Sequence, residues 1–216
     1  MSQHLKRKAM EKSWPLPRKG TKYVTRPYPG KSFETALPLV IALRDVLKLV
    51  DTKKELKSLL NRNEIYVNEK IIKEEKFPVG LFDVLSIPKI KKYFRATLTD
   101  KGKIALEEIN EKDSQSKVCK VVGKKMLKKG ILQINCLDGR NFLYKGNIAA
   151  NDSIIFNLKE NKVEKIIPLK AGAEVFVLGG GHIGAIGKIS EINEKIKVQI
   201  KNKTFEIQAK NICVIK

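Results

Sequence analysis

The chain has 216 residues, and its 44 Lys and Arg outnumber its 23 Asp and Glu, which gives a formal net charge of +21. A charge of this size repels itself in a compact state unless a polyanion neutralises it, so the expected partner is RNA, DNA or an anionic membrane surface. A membrane-spanning helix needs about 18 apolar residues in a row. The best candidate, residues 37–50, contains Arg44 and Asp45, so we expect no membrane partner and favour nucleic acid.

The N-terminal segment is basic and rich in proline. Its first 33 residues hold nine Lys or Arg, a single acid, Glu11, and four of the chain's eight prolines. Such a composition cannot bury enough apolar surface to fold alone, so we predict an unstructured arm over residues 1–36. Positive charge and the rings of Trp14, Tyr23 and Tyr28 suit RNA phosphates and exposed bases. The predicted RNA-binding cations of this arm are Lys6, Arg7, Lys8, Arg18, Lys19, Lys22, Arg26 and Lys31.

Trp14 is the only tryptophan of the chain. Beside two prolines it could be a hydrophobic plug on the folded body or a platform on which a base stacks. We favour the plug.

Two helices are predicted after the arm. In residues 37–50 the apolar side chains recur at helical spacing, and Pro38 suits the first turn of a helix. A second helix should begin at Thr52, because Thr52 and Glu55 have the spacing of a capping box. Its cations predict a basic face that contacts phosphates on both sides of an RNA groove, the alternative being a solvated helix face. These cations are Lys53, Lys54, Lys57 and Arg62.

From residue 64 the apolar period changes from helical spacing to two, which predicts short strands with a turn at Asn68 and Glu69. Two helices followed by such a hairpin resemble the αL-type RNA-binding module of a bacterial small-subunit ribosomal protein, some pseudouridine synthases and tyrosyl-tRNA synthetases. The resemblance lies in residues 52–62 and 65–70, and we assign residues 37–100 to this module.

Residues 101–168 predict a central β domain. Asp138 and Gly139 are a hairpin signal, and a turn at Glu160 and Asn161 separates two apolar alternating segments. The lysine run from Lys120 to residue 129 is either a solvated face or a second contact with phosphates. Its predicted RNA-binding members are Lys124, Lys125 and Lys128.

The last segment, residues 169–216, contains a glycine-rich loop. Alternation resumes directly after Gly187, so a strand, and not the helix of a phosphate-binding glycine loop, should follow. The pattern resembles a KOW motif, with Gly180 and Gly187 at its glycine positions, and this resemblance implies an SH3-like barrel. His182 on the loop is a candidate RNA contact, or is merely exposed. The predicted fold class is therefore multi-domain α+β: an αL-type two-helix module, a β-rich central domain and a C-terminal KOW barrel.

The order of these parts resembles, nearly end to end, the S4e family of archaeal and eukaryotic small-subunit ribosomal proteins, with an archaeal layout. The resemblance implies a structural constituent of the small ribosomal subunit that acts in translation and has no catalytic residues. It also implies binding to small-subunit ribosomal RNA beside neighbouring small-subunit proteins, in the cytoplasm. It is carried by His4-Leu-Lys-Arg7, Trp14, Phe77-Pro-Val-Gly80, Asp83-Val-Leu-Ser-Ile87, Phe94-Arg95, Asp100-Lys-Gly102, Lys117-Val-Cys-Lys120, Asp138-Gly-Arg140, Asn151-Asp-Ser-Ile154 and Asn211-Ile-Cys-Val-Ile215.

Two other functions are alternatives to a ribosomal role. An RNA-modifying enzyme such as a pseudouridine synthase needs a catalytic domain, but the rest of the chain reads as small barrels. The chain offers only two histidines, His4 and His182, and three widely spaced cysteines, so we expect no catalytic site, metal, cofactor or small-molecule substrate. A KOW-type elongation factor needs an apolar surface for the polymerase, to which the basic arm is poorly suited.

Overall fold

The computed structural model describes residues 4–127, 130–144, 146–193, 195–201 and 203–216. The chain divides into two compact units: the first holds the residues up to Leu98 together with Gly102–Lys117, and the second holds Thr99–Lys101 and Val118–Lys216. Strands dominate both units and the helices are few and short, as expected for a β-rich α+β protein. The finer division into four predicted segments stays a prediction.

The first unit contains a five-stranded antiparallel sheet and two separate two-stranded sheets. Its strands are β1 (Leu5–Lys6), β2 (Tyr23–Val24), β3 (Ala36–Pro38), β4 (Tyr66–Val67), β5 (Lys70–Ile71), β6 (Pro78–Gly80), β7 (Val84–Ile87), β8 (Lys92–Leu98) and β9 (Ile104–Glu108). The sheet order is β5-β4-β7-β8-β9, while β1 pairs with β2 and β3 with β6. The helices are α1 (Leu39–Ile41), α2 (Lys53–Asn61) and α3 (Glu111–Ser114).

The predicted first helix over residues 37–50 is partly wrong. Pro38 is extended, with φ −63° and ψ 141°, because residues 36–38 pair with β6. Helix α1 begins only at Leu39 and widens into a π-helical turn over Ala42–Val46. The side chains from Leu39 to Leu43 are all buried, so the apolar run reflects burial on every side and not one face of a long helix.

The second helix and the following hairpin are confirmed as local elements. The Thr52 hydroxyl accepts a hydrogen bond from the Glu55 amide at 3.2 Å, and the Glu55 carboxylate accepts one from the Thr52 amide. Strands β4 and β5 are joined at Asn68 and Glu69, whose φ angles of 52° and 61° are those of a hairpin turn. The buried side of α2 is formed by Leu56 and Leu60.

The second unit contains two five-stranded sheets in the described part of the chain. The first has the order β12-β11-β10-β13-β14 and the second β18-β17-β16-β15-β19. These strands are β10 (Ser116–Met126), β11 (Leu132–Cys136), β12 (Asn141–Tyr144), β13 (Ser153–Asn157), β14 (Lys162–Ile167), β15 (Glu174–Val177), β16 (Ile186–Ile192), β17 (Ile196–Ile200), β18 (Lys203–Ile207) and β19 (Ile212–Val214). The predicted hairpins β11–β12 and β13–β14, and the strand after the glycine loop, are confirmed.

Gly187 is required by a close approach between strands. A Cβ at this position would lie 2.6 Å from the Gln199 carbonyl oxygen and 2.7 Å from a methyl group of Val198. Any side chain would therefore push β16 away from β17, whose Val198 is fully buried in the core of the second unit. The local strand–turn–strand prediction for this motif agrees with the fold, whereas its identity as a KOW barrel stays a prediction.

Candidate nucleic-acid interface

The N-terminal segment is ordered, so the prediction of an unstructured arm is wrong for residues 4–33. Strands β1 and β2 pair with Leu5 opposite Val24. Trp14 is fully buried, and its indole N–H donates to the Phe33 carbonyl at 3.0 Å. The Ser13 carbonyl accepts from the Ile104 amide at 2.8 Å. The segment has little apolar surface of its own, but the Trp14 side chain is buried in the core of the first unit. The prediction that Trp14 acts as a hydrophobic plug is therefore confirmed.

Arg7 holds the loop between β1 and β2 in shape. Its guanidinium donates to the Thr21 carbonyl at 3.0 Å, the Thr21 hydroxyl at 2.8 Å and the Pro17 carbonyl at 2.8 Å. Arg18 makes two longer bonds, to the carbonyls of Lys8 and Met10. The acceptors of both guanidiniums are uncharged carbonyl and hydroxyl oxygens. These hydrogen bonds stabilise the loop without neutralising the positive charge of either arginine. Two predicted RNA-binding arginines are therefore also structural residues.

The loop encloses a cationic surface cavity of about 430 Å³. Gly20 lies in the lining of this cavity and has a φ angle of +126°, which glycine adopts more readily than other residues. Among the described residues no acidic side chain lines this cavity. Such a concave group of like charges concentrates positive potential and attracts an anion. We call it the cationic cavity, and its lining consists of Lys6, Arg7, Lys8, Arg18, Lys19, Gly20, Thr21 and Lys22.

Helix α2 presents the second group of predicted cations. Lys54, Lys57 and Arg62 are exposed. Lys53 is half exposed and forms an ion pair of 2.5 Å with Glu75, so part of its charge is offset within the protein. Helix α2 therefore exposes a basic face, on which Lys53 has the least charge available to a partner because of its ion pair with Glu75.

Lys31 and Arg26 are engaged with the folded protein. The Lys31 ammonium forms an ion pair with the buried carboxylate of Asp83. The Arg26 guanidinium lies 5.6 Å from the centroid of the Phe33 ring. Since an internal carboxylate offsets the charge of Lys31, we leave this residue out of the proposed phosphate contacts.

Asp83 is the centre of a buried polar cluster that the sequence analysis missed. Asp83 is fully buried and Lys117 is 1% exposed, and their side chains lie 2.7 Å apart. Asn68 and the Gly80 amide also donate to the carboxylate, at 2.9 and 2.6 Å. Burial by itself raises the pKa of Asp83, but the ammoniums of Lys117 and Lys31 outweigh it and hold the pKa far below its usual range. No local signal could have found this cluster, because Asp83 and Lys117 are 34 positions apart.

The predicted cations of the second unit have different surroundings. Lys124 and Lys125 are exposed on β10, and Lys124 donates to the Ile148 carbonyl at 2.8 Å. Lys128 lies outside the described residues. His182 is half buried, with its ring centroid 3.8 Å from that of Phe205, so packing and not exposure fixes its position.

Lys120, the first member of the lysine run, is not part of a solvated face. It is 4% exposed and donates to the carbonyls of Ala209 and Lys210 at 2.7 and 2.8 Å. Burial lowers its pKa to about 8. Lys120 therefore ties β10 to the turn before β19 and is not available to phosphate.

Within the described residues, no helix has both the length and the apolar character to cross a bilayer. A family model described as "Ribosomal family S4e" matches residues 90–163, and one described as "RS4NT (NUC023) domain" matches residues 1–30.

Several relatives carry the name small ribosomal subunit protein eS4. That of Nanoarchaeum equitans is 36% identical over 89% of this chain and 83% of its own length. That of Methanosphaera stadtmanae is 39% identical over 93% of this chain and 83% of its own length. Among solved structures, the crystal structure of the 30S ribosomal protein S4e from Thermoplasma acidophilum is similar, with a TM-score of 0.73 and 26% identity, over 84% of this chain and 95% of that one. The chain belongs to the S4e family of ribosomal proteins.

Proposed function

We propose that this protein is a structural constituent of the small ribosomal subunit in the cytoplasm and binds small-subunit ribosomal RNA next to other subunit proteins. The observation that carries the proposal is the cationic cavity, in which six Lys and Arg side chains surround one concavity without an acid among its described lining residues. A phosphate backbone has the charge and the shape to enter such a concavity. Because its relatives are named as small-subunit proteins, we propose that this RNA is small-subunit rRNA.

The other basic surfaces extend this contact. The α2 face with Lys54, Lys57 and Arg62 belongs to an αL-type RNA-binding module in this proposal, and the second unit adds Lys124 and Lys125. In this proposal the sheet with the order β18-β17-β16-β15-β19 forms a KOW barrel. Phosphate contacts of this kind position a protein on RNA without reading its sequence.

The test of the site replaces four exposed lysines of the cationic cavity, Lys6, Lys8, Lys19 and Lys22, by Gln. Arg7, Arg18 and Trp14 are kept, because they hold the fold of the segment. Each lost phosphate contact lowers the steepness of log K against log salt by about 0.7–0.9. We therefore expect the variant to bind small-subunit rRNA more weakly and to lose about three units of this slope, measured by filter binding at several KCl concentrations.

A matched control removes the same charge elsewhere. Lys159, Lys162, Lys165 and Lys170 are exposed beside or within β13 and β14, and their replacement by Gln should change the slope much less. Equal losses in both variants would show that net charge and not the cavity governs binding. Sedimentation of the native lysate tests the function itself: the protein should travel with the small subunit at high salt, and migration in light fractions would reject the proposal.

A further inference from the structure

A second cavity, lined by residues that follow the cationic cavity in the chain, combines aromatic and cationic side chains. Its volume is about 590 Å³, within the range of sites that take small ligands. Among the described residues no acidic side chain lines it. We call it the aromatic cavity; its lining consists of Arg26, Pro27, Tyr28, Pro29, Gly30, Lys31, Phe33 and Lys76.

Tyr28 has an exposed side chain on a backbone that is held in place. Its side chain is 44% exposed, while its amide donates to the Lys76 carbonyl at 2.9 Å. Proline residues stand on both sides of it and fix the backbone φ angle at those positions; Pro27 is buried. An aromatic ring on such a backbone is a preformed platform, because little conformational entropy is lost when a ligand covers it.

The segment around Tyr28 is anchored to the first unit at two further points. Lys31 forms its ion pair with the buried Asp83, and the Phe33 carbonyl accepts the Trp14 indole N–H at 3.0 Å. The cavity therefore keeps its shape before any partner arrives.

The cations lie at the aromatic rings themselves. The Lys76 ammonium is 5.7 Å from the Tyr28 ring centroid, and the Arg26 guanidinium is 5.6 Å from that of Phe33. A ligand that covers the Tyr28 ring with a flat group thus brings any attached anion within reach of a positive charge. A nucleotide has this composition, a planar base joined through a sugar to a phosphate.

We infer that the aromatic cavity binds one unpaired nucleotide of the RNA, with its base stacked on Tyr28 and its phosphate beside Lys76 and Arg26. The inference rests on the proposed function, because it takes the nucleotide from the same rRNA that contacts the cationic cavity. Base stacking on an aromatic side chain tolerates any base, so the site selects an unpaired position and not a sequence. The stacking of the base on Tyr28 would add a component that does not depend on salt to binding that is otherwise electrostatic.

The test compares Tyr28→Leu with Tyr28→Phe in the full chain. Loss of the ring should weaken rRNA binding by about 5- to 150-fold, the range measured for stacked bases, while Tyr28→Phe binds like the unchanged protein. The slope of log K against log salt should stay the same in both variants, because no charge is removed. In contrast, the lysine replacements of the cationic cavity lower this slope, so the two sites give different signatures.

A second measurement uses the unchanged protein and does not depend on a variant that folds. Ultraviolet irradiation of its complex with rRNA should crosslink the peptide around Tyr28 to an unpaired nucleotide, whichever base that nucleotide carries. Normal rRNA binding with no crosslink in this peptide would overturn the inference and leave the proposed function intact, whereas absence of rRNA binding would remove both. Submicromolar binding of free AMP or UMP at Tyr28 would also overturn it, because the cavity would then be a site for a free nucleotide.

Discussion

At the scale of single residues, Asp83 is a fully buried charge that pairs with two lysines. Replacement by Asn keeps the shape of the side chain but leaves the ammoniums of Lys117 and Lys31 without a carboxylate in a site where Lys117 is 1% exposed. Removing one partner of a buried ion pair costs about 3–5 kcal/mol. We expect Asp83→Asn to lower the free energy of unfolding by about that amount at pH 7, measured by urea denaturation.

The surface pair of Lys195 and Glu206 provides the control, because both side chains are more than half exposed at 3.3 Å separation. Lys195→Met should cost less than about 1 kcal/mol. A cost for Asp83→Asn as small as that of the control would mean that the cluster is not a determinant of stability.

The same cluster has a pH dependence of known sign. The pKa of Asp83 is held below its usual value in the folded state, so its contribution is fully present above about pH 4 and is lost as the pH falls further. The difference in unfolding free energy between the unchanged protein and Asp83→Asn should therefore shrink as the pH is lowered from 5 to 2. A difference that stays constant over this range would contradict the lowered pKa.

At the scale of elements, the loop between β1 and β2 depends on the three hydrogen bonds of Arg7. Arg7→Lys keeps the charge but cannot make this planar set of bonds. Loss of charged hydrogen bonds worth about 1.5–3 kcal/mol should speed amide exchange of residues 7–22 about ten- to a hundredfold. We also expect weaker rRNA binding with an unchanged salt slope, because the cationic cavity must then order on binding.

Lys8→Arg is the matched control for this loop. Lys8 is exposed in the same cavity, and the exchange also conserves charge, so both amide exchange and binding should stay near those of the unchanged protein. Equal effects of the two variants would mean that Arg7 does not hold the loop.

Some of the helices and turns could be predicted from the sequence, and others could not. The capping box of α2 and the turn at Asn68 and Glu69 were predicted, because each depends on residues within a few positions of one another. The extent of α1 was mispredicted, since pairing of residues 36–38 with β6 overrides helical spacing.

In the candidate site, too, contacts between residues far apart in the chain could not be predicted from local sequence patterns. Composition alone indicated disorder for the N-terminal segment, yet burial of Trp14 in the first unit orders it. The cations of the cationic cavity were all among the predicted residues, whereas their convergence on one concavity follows from the Arg7 hydrogen bonds. Lys31, which is predicted to contact RNA, forms an ion pair with Asp83, 52 positions away in the chain, and no sequence pattern indicated this partner.

At the scale of the whole molecule, the net charge of +21 sets the behaviour of the protein without RNA. Salt shortens the range of electrostatic repulsion from about 10 Å at 0.1 M to about 3 Å at 1 M. We expect the melting temperature of the RNA-free protein to rise between 0.02 and 0.5 M KCl, by about 2–4 °C for each kcal/mol of repulsion removed. Differential scanning fluorimetry measures this shift.

The variant with Gln at positions 6, 8, 19 and 22 carries four fewer positive charges and should show a smaller rise. Exposed ion pairs such as Lys197 with Glu191, at 2.8 Å, act in the opposite direction, because salt weakens their attraction. A melting temperature that falls with salt would therefore mean that such pairs outweigh the net repulsion. If repulsion dominates, rRNA should stabilise the protein most at low salt, where the phosphates neutralise charge that nothing else screens.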